Sequence, residues 1–175
     1  IADYAELSQD DYVLEVGPGL GTLTSELLRQ AGDVLSVEFD GELARKLPGQ
    51  FPGKNLTVVN EDILQFDLSQ LPAGYKVVAN VPYYITSKIV QRLLTAKNKP
   101  SVAVLLVQKE VAQRMAAAPG DMSLLSLSSQ LFADVSLGEI VPAELFTPPP
   151  KVDSQTVILK AKTEIGLSDE QQKTV

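Results

Sequence analysis

The chain is predicted to be an α/β protein built on one seven-stranded, mostly parallel sheet that ends in an antiparallel hairpin. Three observations predict it. Short β-branched runs alternate with helical stretches through the first 110 residues, the pattern of parallel strands joined by crossover helices. A glycine-rich turn, Gly17-Pro-Gly-Leu-Gly21, links the first strand to the first helix. Beyond residue 132 the pattern changes to two long strand-like runs separated by the Pro-rich stretch Phe146-Thr-Pro-Pro-Pro-Lys151. With 175 residues, 45% of them hydrophobic, the chain can bury one substantial core, and the doubly wound sheet is Rossmann-like.

Taken in order, the predicted strands are Tyr12–Val16, Val34–Phe39, Leu56–Asn60, Tyr75–Val81 and Ser101–Val107. The helices between them are Thr22–Ala31, Gly41–Leu47 and Ser87–Ala96. Ser87 reads as the N-cap of the third, which carries Ile89, Val90, Leu93 and Leu94 at helical spacing with Lys88 and Arg92 opposite. Two more helices, Glu110–Ala117 and Ser123–Leu131, flank the breaker Pro119-Gly120. Strands Ala133–Val141 and Asp153–Lys162 close the sheet. Ser168-Asp-Glu-Gln171 resembles a capping box that opens one further helix. We therefore expect a single domain over residues 1–162, and the start of a truncated helical region over 163–175.

Composition excludes several chemistries. There is no Cys and no His, which removes disulfides, thiol nucleophiles, imidazole bases and Cys/His metal sites together, so no metal is expected. No apolar run approaches the roughly 18 residues of a membrane span, and the basic start of a signal peptide does not precede Ile1, so a cytoplasmic, membrane-free protein is expected; it is also expected to be a monomer. The net charge is −7, but residues 1–80 carry 5 Lys and Arg against 13 Asp and Glu, whereas residues 81–175 carry 10 against 9. Lys88, Arg92, Lys97, Lys99, Lys109 and Arg114 oppose Glu110 alone between residues 84 and 114. That stretch suits a phosphate backbone or, equally, an ordinary solvated helix face.

The ends of the first three strands form a cofactor constellation. Glu15-Val-Gly-Pro-Gly-Leu-Gly21 places Gly17, Gly19 and Gly21 where backbone approaches a ligand and helix-terminal amides face it. Its spacing differs from the Gly-x-Gly-x-x-Gly of dinucleotide folds, and Pro18 removes an amide that a pyrophosphate would want. Glu38, about 20 residues on, ends the second strand where a carboxylate accepts both ribose hydroxyls. Asp62 and the Ile63 amide end the third strand, where they can read an adenine edge. Any one of these carboxylates is common at a strand end; three in register describe a nucleoside with a small cationic tail, which fits S-adenosylmethionine.

The fourth strand ends Asn80-Val-Pro-Tyr83. The amide oxygen of Asn80 and the carbonyl of Val81, held extended by Pro82, can accept both hydrogens of an exocyclic amine and turn its lone pair to a methyl donor. Tyr83 can stack on the base. The bland reading of Asn80 is a turn former, and of Tyr83, Tyr84 and Phe146 core or rim packing.

Four segments carry a specific resemblance: Val13-Leu-Glu-Val-Gly-Pro-Gly-Leu-Gly-Thr-Leu-Thr24, Asn80-Val-Pro-Tyr83, Gln108-Lys-Glu-Val111 with Arg114, and Phe146-Thr-Pro-Pro-Pro-Lys-Val-Asp-Ser154. From about Ile1 to Lys162, in order, they resemble the ribosomal RNA adenine dimethyltransferases of the KsgA kind. The resemblance implies a Rossmann-like methyltransferase fold and a catalytic set of Asn80, Val81, Pro82, Tyr83 and Phe146, with Phe146 on the second face of the flipped base. Its cofactor set is Glu15, Gly17, Gly19, Gly21, Glu38, Phe39, Asp62, Ile63 and Asn80, and its RNA-contacting set Lys88, Arg92, Lys109, Arg114 and Lys151. It implies dimethylation of the 6-amino groups of two adjacent adenines in the 3′-terminal hairpin loop of small-subunit (16S) rRNA, within the precursor of the small ribosomal subunit. Family members commonly carry Leu at Val81; a glutamine-containing segment before the first strand and a helical domain after Lys162 are also expected. The rivals are a large-subunit adenine methyltransferase conferring antibiotic resistance, a non-catalytic RNA-binding assembly factor and, more distantly, a nicotinamide-binding dehydrogenase. Pro18 and Leu20 within the glycine turn favour the small-subunit enzyme.

Overall fold

Strands β1 (Tyr12–Val16), β2 (Asp33–Glu38), β3 (Leu56–Asn60), β4 (Lys76–Asn80) and β5 (Val102–Gln108) run parallel, and β6 (Ala133–Val141) and β7 (Ser154–Ala161) complete the sheet. The computed structural model describes residues 1–163, so the capping-box reading at Ser168–Gln171 lies outside the described residues. Helices α1 (Thr22–Gln30), α2 (Gly41–Lys46), α3 (Thr86–Thr95), α4 (Lys109–Met115) and α5 (Leu124–Phe132) match the predicted stretches to within a residue or two. No helix among the described residues is long and apolar enough to cross a membrane.

The strand order is β3-β2-β1-β4-β5-β7-β6. Its direction reverses between β1 and β4, so the turn after β1 and the turn after β4 flank one crevice at the carboxyl edge, where ligands of such sheets bind. The central strands read as unbroken apolar runs because both faces are covered: Val77, Val78 and Ala79 of β4 and Ala103 to Val107 of β5 are buried. Helix α3 buries Ile89, Val90, Leu93 and Leu94, each contributing roughly 1.5–3 kcal/mol relative to exposure. That stripe fixes the helix, and with it the short turn that precedes it, against the sheet.

One expectation is corrected. Ser87 is not an N-cap: α3 starts at Thr86 with no side-chain cap, and Ser87 is exposed. A 3-10 turn, Tyr83–Ile85, runs straight into the helix, leaving no extended residue to act as a cap; Thr86 Oγ1 instead donates to the Pro82 carbonyl at 3.2 Å. The terminal strands pair antiparallel as expected, and β7 inserts between β5 and β6. The burial pattern explains the order, since β7 is buried from Ser154 to Leu159 whereas the edge strand β6 leaves Leu137 and Ile140 exposed.

The β6–β7 register slips between Leu137 and Ile140, a bulge centred on Gly138. A Cβ there would sit 2.7 Å from the Tyr4 ring, whose hydroxyl accepts the Glu139 N–H at 2.9 Å. Gly138→Ala should therefore destabilise the fold by about 1–3 kcal/mol, read as a lowered urea midpoint at unchanged slope. An unchanged midpoint would show that the Tyr4 ring yields freely.

Candidate active site

The turn after β1 is shaped by three glycines with φ of 66°, 56° and 92° at positions 17, 19 and 21, a region L side chains rarely adopt. A Cβ on Gly21 would meet Leu47 Cδ1 at 2.9 Å, and one on Gly17 would lie 3.9 Å from the Asn80 carbonyl. At Gly19 nothing lies within 4 Å, so a side chain there would meet open space and only the positive φ calls for glycine. Gly21 then caps α1 without a side-chain hydrogen bond, leaving first-turn amides directed at the turn.

Glu15 sits behind this turn rather than in the crevice. It is fully buried, and its Oε2 accepts the hydroxyls of Thr24 and Ser36, both at 2.7 Å, which ties α1 and β2 to β1. Oε1 has no partner. Burial raises its pKa above the ordinary 4.5, the two hydroxyl bonds oppose this, and the nearby Glu38 charge adds to the rise. Because the folded state holds this proton more tightly than the unfolded chain does, its contribution is full below the unfolded pKa and is lost as pH rises through the raised folded value. Subtracting the urea stability of Glu15→Gln from that of the parent across the acid-to-neutral range should give a difference that declines with rising pH. A flat difference would mean that Glu15 titrates as a solvated carboxyl.

Glu38 ends β2 with 7% of its surface exposed. Its Oε2 accepts the Gly19 N–H and its Oε1 the Asp40 N–H, both at 3.1 Å, so one carboxylate joins the glycine turn to the start of α2. Asn60, its register partner on β3, clamps the strand end by donating Nδ2 to the Glu38 and Phe39 carbonyls. Asp62 forms a turn onto the Leu64 N–H at 2.9 Å, beside buried Ile63. Glu38, Asp40, Asp62 and Ile63 bound a cleft of about 460 Å³ that extends from Gly17 to Pro82 and Ile85, with Phe39 and Tyr84 exposed at its rim; Gly19, Gly21 and Asn60 do not line it. Glu38, Asp40, Glu61 and Asp62 line it, and no Lys or Arg among the described residues does. That donor set fits a nucleoside with a cationic tail and not a pyrophosphate. No group of three or more His, Cys, Asp or Glu suited to a metal occurs among the described residues.

Next to the cleft, Asn80, Val81, Pro82 and Tyr83 line a second hollow of about 210 Å³. Val81 is buried and its N–H donates to the Leu106 carbonyl at 3.1 Å, continuing the β4–β5 ladder one residue past Asn80. The exposed Asn80 side chain makes no hydrogen bond among the described residues. Tyr83, 37% exposed, pairs its hydroxyl with Ser154 Oγ at 3.1 Å. Pro82 lines both hollows, Tyr83 only the smaller one, and Tyr84 and Ile85 only the larger cleft, so the two share the Pro82 wall. Phe146 is half-buried after the 3-10 turn Ala143–Leu145 and does not line the Asn80 hollow.

The cations differ from a uniform solvated stripe. Lys88 and Lys151 are exposed, and Lys109 is half-buried at the carboxyl edge. Arg92 turns inward: its Nη2 donates to the Phe66 carbonyl and its Nε is buried. Arg114 pairs with Glu110 at 2.8 Å on the exposed surface of α4, and Lys99 lies 5.0 Å over the Phe132 ring. Sequence reasoning missed Thr24, Ser36, Asn60 and Ser154, whose hydroxyl and amide groups have no spacing signal. Asp40, which caps α2 by accepting the Glu42 and Leu43 N–H groups, was detectable as an Asp preceding a helical run.

The family profile of Ribosomal RNA adenine dimethylase matches residues 1–173. Ribosomal RNA small subunit methyltransferase A of Dehalococcoides mccartyi (strain CBDB1) is 44% identical over 173 residues, covering 92% of this chain and 60% of the relative. Its counterpart in Latilactobacillus sakei is 44% identical over 167 residues, covering 90% and 56%. Among solved structures, a dimethyladenosine transferase from Plasmodium falciparum is 32% identical with a TM-score of 0.81, covering 98% of this chain and 60% of that one. The 23S rRNA methyltransferase ErmE is 36% identical with a TM-score of 0.86, covering 99% and 70%. The chain thus spans about 60% of the length of the curated relative from D. mccartyi.

Proposed function

Because this chain belongs to the ribosomal RNA adenine dimethylase family, we propose that it is the catalytic part, residues 1–162, of an enzyme that dimethylates adenine 6-amino groups of small-subunit rRNA. The proposed targets are two adjacent adenines in the 3′-terminal hairpin loop, met on a small-subunit precursor in the cytoplasm by a monomer that uses no metal. The observation that carries the reading is that two hollows share the Pro82 wall: an acidic cleft bounded by Gly17 on one side, and an Asn-x-Pro-Tyr pocket on the other.

When bound, S-adenosylmethionine supplies an activated methyl group. The chain's task is to hold and aim the other reactant. An adenine amine is a poor nucleophile because its lone pair is conjugated with the ring. Asn80 Oδ1 and the Val81 carbonyl accept its two hydrogens, favour pyramidal nitrogen and direct the lone pair at the cleft. Tyr83 stacks on one face of the unstacked base and Phe146 on the other. Glu38 would hold the ribose hydroxyls, Asp62 and the Ile63 amide the adenine edge of the cofactor, Phe39 would pack on that adenine, and Gly17 and Gly19 would leave room for its cationic tail, with Gly21 packing the turn against Leu47 and Glu15 bracing it. The methylated nitrogen is acidic enough to lose its proton to water, so the chain needs no histidine. Lys88, Arg92, Lys109, Arg114 and Lys151 are assigned to the RNA backbone, with Lys88, Lys109 and Lys151 carrying most of the contact because Arg92 and Arg114 already have protein partners.

The test is to incubate the full-length protein with labelled S-adenosylmethionine and separated ribosomal subunits, then map the modified base. Label on small-subunit dimethyladenosine supports the reading. Label on large-subunit rRNA, the 23S rRNA in the name of ErmE, would replace it, and binding of particles without transfer would make the chain an assembly factor.

A further inference from the structure

Two residues at the start of β7 have no role in the scheme above, yet each holds one aromatic arm of the proposed base slot. Ser154 is 1% exposed, and its Oγ lies 3.1 Å from Tyr83 Oη, the tip of a ring that is otherwise at the surface. Asp153 Oδ1 accepts the Ala143 N–H at 2.9 Å, and the Ala143 carbonyl accepts the Phe146 N–H at 3.2 Å. The dipeptide is itself fixed to the sheet: Ser154 pairs with Gln108 of β5 and Val141 of β6, and the Asp153 carbonyl accepts the Lys109 N–H at 3.0 Å. Two segments far apart in sequence, the turn after β4 and the connection after β6, are therefore referenced to one rigid point.

We propose that Asp153 and Ser154 are positioning residues that fix the Tyr83 and Phe146 segments relative to one another, and with them the proposed base slot; this deepens the adenine reading and rests on it. Tyr83 stands in a short 3-10 turn, where two side-chain torsions leave an exposed ring free to swing. One hydrogen bond at its tip fixes the ring plane. Stacking helps the reaction only when the base is held with the amine in line with the methyl donor, and a misplacement of about 1 Å can cost about 100-fold. Loss of one neutral hydrogen bond acts through this geometry, so turnover should respond more than substrate affinity.

The experiment is a double-mutant cycle in the full-length protein on small-subunit particles. Ser154→Ala and Tyr83→Phe each delete the same hydrogen bond, one from the buried side and one from the surface. Each is expected to lower kcat about fivefold, or about 1 kcal/mol at about 1.36 kcal/mol per tenfold, with KM nearly unchanged. The double variant should lose no more than either single one. Asp153→Ala should lower kcat similarly, and Asp153→Asn, which keeps an acceptor for Ala143, should restore it. If Ser154→Ala does not fold, Tyr83→Phe alone still decides, since it leaves β7 untouched and a parental kcat would overturn the proposal. Additive losses in the double variant, or equal losses for Asp153→Ala and Asp153→Asn, would also overturn it. Failure of the adenine reading itself is separable, because then Asn80→Ala and Tyr83→Ala would both turn over at the parental rate.

Discussion

Asn80→Ala in the full-length protein should reduce methyl transfer to small-subunit rRNA by about 100- to 1000-fold, the loss seen when one preorganised polar group facing a reacting centre is deleted. Cofactor affinity should stay within about twofold, since the side chain acts on the amine and chiefly in the transition state. The structure supplies the reason for the separation. Asn80 closes β4, paired in register with Leu106, so its backbone is held by the sheet with or without its side chain. The side chain lines the small hollow with Val81, Pro82 and Tyr83 and is absent from the larger cleft that holds Glu38 and Asp62. Truncation therefore removes an acceptor from the amine and leaves the cleft walls standing. Single-turnover rates and calorimetric titration with S-adenosylhomocysteine measure the two properties separately. Near-parental turnover would remove the Asn-x-Pro-Tyr turn from the reaction, and a large loss of cofactor affinity would show that Asn80 serves the cleft instead.

Much of this site was legible in the sequence because strand ends are legible. Buried parallel strands announce themselves as apolar runs, and whatever follows each run must lie at one edge of the sheet. Glu38, Asp62 and Asn80 were found that way, and they do converge at the carboxyl edge. What hid was anything that depends on distance across the fold. Glu15 has the same sequence signature as a ligand-facing carboxylate, but it points into the core, where Thr24 and Ser36 take its Oε2. Arg92 lies on the polar side of a helical wheel, yet the loop around Phe66 folds over it and supplies a carbonyl. Ser154 is invisible in a strand pattern until β7 inserts beside β5 and brings it under Tyr83. Helix boundaries failed where 3-10 geometry ran into α-helix, as at Thr86, because no capping residue marks such a junction.

Glu38→Ala should weaken binding of S-adenosylhomocysteine about 10- to 100-fold, which corresponds to about 1.4–2.8 kcal/mol and to the loss of a charge-assisted hydrogen bond. Glu38 is 7% exposed, and its carboxylate already accepts one backbone N–H on each oxygen, from Gly19 and from Asp40. An ionised carboxylate has about four acceptor sites, so one remains on each oxygen for a pair of adjacent ribose hydroxyls. The two backbone bonds also fix the carboxylate before ligand arrives, which spares the binding step the entropy of ordering it. Removal thus costs twice: the acceptors are lost, and the Gly19 turn loses its tether to the end of β2. Ribose recognition can be isolated from the tether with a 2′-deoxy analogue. The parent should bind the deoxy analogue more weakly than the ribose form by about tenfold, as expected when a hydroxyl partner of a buried charge is missing. Glu38→Ala should bind the two alike, since the group that distinguishes them is gone. Discrimination that survives in Glu38→Ala would place ribose recognition on another residue, and the effect of the substitution would then belong to the glycine turn alone.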